Sequence, residues 1–453
     1  MINTKWKLDS MFSKKQWTVV LIMSFLSAIL FEHIYDAKTI AEWSMILIDC
    51  VCNGEISEYQ HILAGMEIQS NYTLFLNFLI SIWVTPVYII MQLFHLEAHF
   101  RIATFWIKCL LIICNLGTAR IMQLILESAG VDKKHQEWVA IIYILSPFVQ
   151  IYSIAMGQVD GVALFCCMLA YYFFTRNNYI LFVLFNVFAL MIKPFAGFII
   201  APIMVIIWWR DKLKSILYVV VIIALYLIQN RAQDLIVKDY NEGSAFWNTF
   251  VFLPRLMKYN VAGVPLVLII LFVIGMVCLY RGKKSELSLK KLCFYQLALL
   301  VTFESMVTQH PQWYVYFAAI SIMIVFGLAD SRKSILTYYI CEWIFCLNAL
   351  ISFDDGQLIH AYGNRGIPGK ISEYSGIVSG EVMSDVFCLN ENIARSLLAL
   401  ISIILMIILG YEINKRNVEI TENQKQIKLW LFALPTVSLF VVIFVGYIFP
   451  INI

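Results

Sequence analysis

A chain of 453 residues, 61% of them hydrophobic and only 14% charged, lacks the charge that a water-facing surface needs, since soluble domains carry roughly 25% charged residues. Its mean hydropathy of +0.78 excludes an ordinary soluble fold, and a formal net charge of +3 gives no footing for a nucleic-acid partner. The expectation is an all-α polytopic membrane protein, one integral membrane domain over residues 1–453.

Apolar runs long enough for helices that cross about 30 Å of hydrocarbon mark about thirteen spans. The first, residues 17–34, has no small-residue cleavage site and reads as a retained helix rather than a signal peptide. A long acidic loop at 35–71 follows, where Asp36, Glu42, Asp49, Glu55, Glu58 and Glu67 face a single Lys38. Within it Ile40, Trp43, Ile46, Leu47 and Val51 recur at helical spacing, which predicts an amphipathic helix lying on the membrane. Spans at 72–94, 102–126, 137–155 and 161–175 come next, then 180–208, which Pro194 is expected to kink or break, and 215–228. After a second loop at 230–260 come 261–280, 292–308, 313–328 and 335–353; a third loop at 354–392 precedes 393–409 and 430–449.

The eleven cysteines form no recurring zinc spacing. Those in apolar runs, such as Cys166-Cys167, read as small buried hydrophobes. Cys50, Cys52 and Cys388 fall in polar loops and leave one disulfide open.

Lys5, Lys7, Lys14 and Lys15 put the N-terminus in the cytoplasm by the positive-inside rule. Counting crossings from there brings the basic clusters at 281–291, Arg332-Lys333 and 415–428 to the same side, with the three long loops outside. Lys133-Lys134 falls outside in this count and is its exception.

Ionisable residues at membrane depth are costly and mark candidate sites. The chain offers Asp36 just beyond the first helix and Gly157-Gln158-Val159-Asp160 between two apolar runs. It also offers Lys193-Pro194 inside a long run, and His310-Pro311-Gln312-Trp313-Tyr314 opening a late one. In this order the pieces resemble the GT-C superfamily of membrane glycosyltransferases, over residues 17 to 328. The resemblance implies a catalytic module at 17–230 with membrane-lying helices in the first extracytoplasmic loop, and variable C-terminal helices at 231–453. It implies a hexosyltransferase, mannosyltransferase-like, in the cell membrane with its active site on the extracytoplasmic side. A sugar would pass from a polyprenyl-phosphate donor to a lipid, glycan or protein acceptor. Asp36 would be catalytic, and Gln158, Asp160, Lys193 and His310 would serve the substrates. Position 38 is Lys, so Asp36 is not half of an Asp-x-Asp pair; no acidic pair supports a divalent cation, and no cofactor is expected. Gln69-Ser70-Asn71 stands where many relatives have Pro-Pro.

The residues fit such chemistry on their own terms. Glycosyl transfer passes through an oxocarbenium-like state, and a carboxylate can activate the acceptor hydroxyl as general base. Asp36 either does this or caps the surface helix that starts near Ala37. Glu42 and Glu67 are weaker second carboxylates. The departing phosphate needs cations, for which His310, Arg255 and Lys258 are candidates; the last two read equally as headgroup anchors. Lys193 either sits in a bundle cavity or snorkels past the Pro194 break. The crossing count places Gln158 and Asp160 on the cytoplasmic side, so they either clamp the bundle or face outward because an upstream segment is re-entrant.

A flippase or polysaccharide polymerase would instead spread charges through several membrane helices and relate the two halves, whereas the charges read as clustered at helix mouths. A nonenzymatic scaffold gives no reason for Asp36 and His310 to share a face.

Overall fold

The computed structural model describes residues 11–31, 36–64, 73–95, 100–236, 260–261, 264–284, 288–307, 311–329, 331–351, 391–414 and 429–448. Regular structure among them is helical, apart from a two-residue antiparallel pair of β1 (Asn260–Val261) with β2 (Val264–Pro265). The first helices are α1 (Lys14–Leu30), α2 (Asp36–Asn53), α3 (Glu58–Ala64), α4 (Leu74–Leu93) and α5 (Phe100–Ser128). Helix α6 (Lys133–Leu145) continues into a π-helical segment, Phe148–Ala155, before α7 (Asp160–Thr175) and α8 (Tyr179–Ile192). A 3-10 turn, Pro194–Ala196, leads to α9 (Gly197–Arg210) and α10 (Lys212–Ile236). Then come α11 (Leu266–Lys284), α12 (Leu289–Met306), a 3-10 turn at Pro311–Trp313, and α13 (Tyr314–Ile322) with a π-helical continuation, Met323–Ala329. Helices α14 (Arg332–Ile351), α15 (Glu391–Asn414) and, after the turn Leu429–Ala433, α16 (Leu434–Ile448) complete the order.

Among the described residues, each expected apolar run contains helix. Five helices, α4, α5, α11, α14 and α15, are long and apolar enough to cross a membrane alone. Helix α6 with its π-helical segment, bent by 51°, makes a sixth when counted as one span. The chain is an all-α, membrane-embedded protein. Exposed side chains such as Leu213, Ile228 and Phe272 are apolar, as a lipid-facing surface requires. Between helices in lipid, close packing at small residues takes the place of hydrophobic driving force. A Cβ added to Gly117 would lie 2.4 Å from the Phe165 ring, and one on Gly327 would lie 2.9 Å from Leu126.

Side-chain bonds set the helix directions. Lys108 of α5 donates to the carbonyls of Ala28 (3.1 Å) and Phe31 (2.9 Å) at the end of α1. Gln123, further along α5, donates to Met11 O (3.3 Å) just before α1 begins. Helix α5 therefore runs antiparallel to α1, and this corrects the crossing count. The end of α1 and the start of α5 share one end of the bundle, so 72–94 is not a lone crossing between them. Lys133-Lys134 then joins Lys14 and Lys15 at the other end, and the exception disappears. Residues 180–208 are also not one kinked span. Helix α8 begins beside Phe174, whose ring lies 5.9 Å from that of Phe182, and α9 returns to lay Arg210 over the same Phe174 ring at 5.8 Å. Pro194 cannot donate a backbone bond to extend α8, and the chain reverses there. The two corrections cancel beyond α9. Lys283 accordingly sits over Trp209, beside Arg210, at the basic end.

Candidate functional site

Pro147 breaks α6 and leaves the Ile144 carbonyl to the side chain of Gln150, which donates to it at 2.6 Å. Ser27 of α1 donates to the other side of the same amide at 2.8 Å, so the bent segment is bolted to α1. Inserted π-helical turns re-aim the chain and recur at functional sites; this one delivers Gly157-Gln158-Val159-Asp160. Gly157 has φ +74°, the left-handed region that favours glycine. A Cβ there would lie 2.4 Å from Ala37 Cβ and 3.7 Å from Lys108 Cε. The turn thus packs on the first turn of α2, one residue from Asp36. The crossing count put the two a membrane thickness apart; α6 with its π-helical segment climbs back to the end of α1 and brings them together.

Gln158 and Asp160 are buried. Asp160 opens α7, where the helix dipole favours a carboxylate. Its Oδ2 lies 3.6 Å from Lys193 Nζ, with the lysine side chain 16% exposed and the aspartate 1%. Lys193 therefore reaches into the bundle from the α8–α9 reversal instead of snorkelling away. The next aromatic, Phe195, packs on Trp313 at 4.2 Å between ring centroids, and each ring lies 5.4 Å from Phe303. Val267, at the start of α11, joins the same cluster. Thr73, which caps α4, donates to Met191 O at 2.7 Å near the end of α8. Helix α4 is held to α5 by paired indoles: Trp83 and Trp106 stack at 5.1 Å, and each N–H donates to the other's carbonyl.

Asp36 is the first residue of α2; its side chain lies outside the described residues. So do Glu67, Arg255, Lys258 and His310. The nearest described residues after Glu67 and His310, Thr73 and Pro311–Trp313, stand at this end of the bundle, as does Val267 after the Arg255–Lys258 stretch. The expected helix at 37–51 is present. Ile40, Trp43 and Leu47 bury against the bundle while Val51 is exposed. Cys50 and Cys52 are free thiols; Cys388 lies outside the described residues. No three His, Cys, Asp or Glu side chains gather as a metal site among the described residues.

Sequence reasoning missed Lys108, fully buried between the end of α1 and Gly157. A lysine inside the apolar run 102–126 was the available signal. It also missed Glu304 in α12 and Glu342 in α14, both buried within helices. Charges are therefore not confined to helix mouths. No protein-family model matches this chain, and neither a curated protein nor a solved structure matches it.

Proposed function

We propose that the chain is a GT-C-type membrane glycosyltransferase that moves a sugar from a polyprenyl-phosphate donor to an extracytoplasmic lipid, glycan or protein acceptor. In this reading the N-terminus and the basic end are cytoplasmic, about thirteen helices cross the bilayer, and the Gly157–Asp160 end faces outward. One observation carries the reading. The start of α2, the Gly157–Asp160 turn, the Lys193-Pro194 reversal and the Pro311–Trp313 turn are remote in sequence yet meet at one end of the bundle. Asp36 is the general base. Lys193, held by Asp160, serves the donor phosphate with His310 and with Arg255 or Lys258. Lys108 fixes the end of α1 and so the place of Asp36.

The test is transfer from polyprenyl-phosphate sugars by the purified chain in liposomes. Asp36→Asn should lower turnover by about 10²–10⁴-fold and leave donor binding unchanged. His310→Ala should weaken donor binding through loss of a phosphate contact. Full activity in Asp36→Asn, or no binding of any such donor by the wild type, would sink the reading.

A second reading, a flippase or polymerase for lipid-linked sugars, is favoured by Glu304 and Glu342, since buried membrane carboxylates mark transport paths. Movement of the donor across sealed vesicles without new glycosidic bonds, abolished by Glu304→Gln, would select it.

A further inference from the structure

We propose that the end of the bundle opposite the Gly157–Asp160 turn carries a docking surface for anionic phospholipid headgroups, built by Arg176, Arg210, Lys212 and Lys283. This inference rests on membrane embedding and is independent of glycosyl transfer. The four cations come from the α7–α8 turn, the α9–α10 turn and the end of α11. Each is laid on an aromatic ring. Arg176 lies 5.3 Å from Tyr172, Arg210 5.8 Å from Phe174, Lys212 5.9 Å from Trp208 and Lys283 5.8 Å from Trp209. Gly282 lets α11 approach Trp209, since a Cβ there would lie 3.0 Å from the indole. The Trp209 N–H donates to Leu279 O at 2.8 Å. The two turns and the helix end therefore form one built patch rather than separate loose side chains.

All four cations are exposed, and among the described residues none has a carboxylate within ion-pair distance. Asp211, the acid between Arg210 and Lys212 in sequence, is taken by Lys214 at 2.9 Å. Like charges on neighbouring turns repel one another and gain most from a multivalent anion. Guanidinium groups can bind phosphate oxygens bidentately. A cation over a ring also keeps its stem on apolar surface and its charge at headgroup level. The patch continues into exposed apolar side chains, Leu213 and Ile216 on α10 and Phe272 and Met276 on α11. Tryptophans beside cations at the edge of such a face mark the bilayer interface. An acidic protein or nucleic-acid partner would not explain that continuity.

The full chain in neutral detergent should retain phosphatidylglycerol in preference to phosphatidylcholine, read by native mass spectrometry, and should melt higher with the former. Removing each cation as glutamine should lower the preference about fivefold, as expected for a basic residue near an anionic surface. The combined variant Arg176→Gln, Arg210→Gln, Lys212→Gln, Lys283→Gln should lose it. Millimolar inorganic phosphate should not compete. Should the combined variant fail to fold, Arg176→Gln and Lys283→Gln are read singly. Equal retention of both lipids, undiminished preference in the variants, or competition by phosphate alone would overturn the assignment.

Discussion

Asp160–Lys193 and Asp211–Lys214 are the same chemical pair at opposite ends of the bundle. The first joins the start of α7 to the α8–α9 reversal at 3.6 Å, with side chains 1% and 16% exposed. The second joins near neighbours in one helix start at 2.9 Å, with side chains 37% and 55% exposed. Distance alone would rank the second as stronger. Burial reverses the order: water competes for the exposed pair, whereas removing Lys193 takes the cation from a carboxylate that is 1% exposed. The same contrast separates the two ends. At one end Asp160, Lys193 and Lys108 hold remote segments together; at the other Arg176, Arg210, Lys212 and Lys283 stand on the surface over aromatic rings.

The largest effect should come from breaking the buried pair. Lys193→Met should destabilise the fold by about 3–5 kcal/mol, the usual penalty for removing one partner of a buried ion pair, measured by unfolding in mixed detergent and dodecyl sulfate micelles. Asp160→Asn added to it should restore most of the loss, because the stranded charge is then gone. If Lys193→Met unfolds like wild type, the pair is not buried in the membrane-embedded state. A smaller effect is expected at Lys108, whose two bonds to the end of α1 are charge-assisted. Lys108→Met should cost about 1.5–3 kcal/mol and speed hydrogen exchange around residue 31, with Lys108→Arg recovering part of both. Gly157→Ala should cost about 1–3 kcal/mol, because the new methyl meets Ala37 and the positive φ disfavours alanine. Equal exchange over the first turn of α2 in Gly157→Ala and wild type would separate the turn from Asp36.

Much of this contrast was legible in residues and some was not. Apolar run lengths located the helices, because hydrocarbon thickness constrains run length directly. Pro194 marked a break, but proline alone does not say whether a chain kinks or reverses; the return of Arg210 to Phe174 decides that. The crossing count alone puts Asp160 at the end away from Asp36 because it assumes each run crosses once, and α4 does not make a lone crossing between α1 and α5; the alternative of a re-entrant upstream segment is the one that brings it to the end of α1. Asp160 and Lys193 could be singled out separately as polar residues in apolar surroundings. Their pairing could not, since it depends on the α7–α8 hairpin bringing distant positions to one level. Lys108 is visible as a charge in an apolar run, but the Ala28 and Phe31 carbonyls that it binds leave no mark in sequence.

The smallest effect belongs to Asp211–Lys214, and its smallness is the sharpest check on the comparison. Asp211 caps α10: the Lys214 backbone N–H donates to its carboxylate at 3.0 Å, and with the Lys214 side chain this holds the carboxyl below its usual range. The bond to Asp211 in turn holds the Lys214 ammonium above its ordinary value. A depressed acid contributes stability above its unfolded value and loses it as pH falls through the folded value. A raised base contributes below its unfolded value and loses it as pH rises through the folded value. Any contribution is therefore complete near neutral pH, and that is where it should be sought. Lys214→Gln, which keeps the backbone cap, should leave the unfolding midpoint at neutral pH unchanged within error, and raised salt should alter neither protein's midpoint relative to the other. A clear loss at neutral pH, screened away by salt, would mean that the exposed pair carries weight comparable to the buried one. The two ends would then differ in geometry but not in energetics.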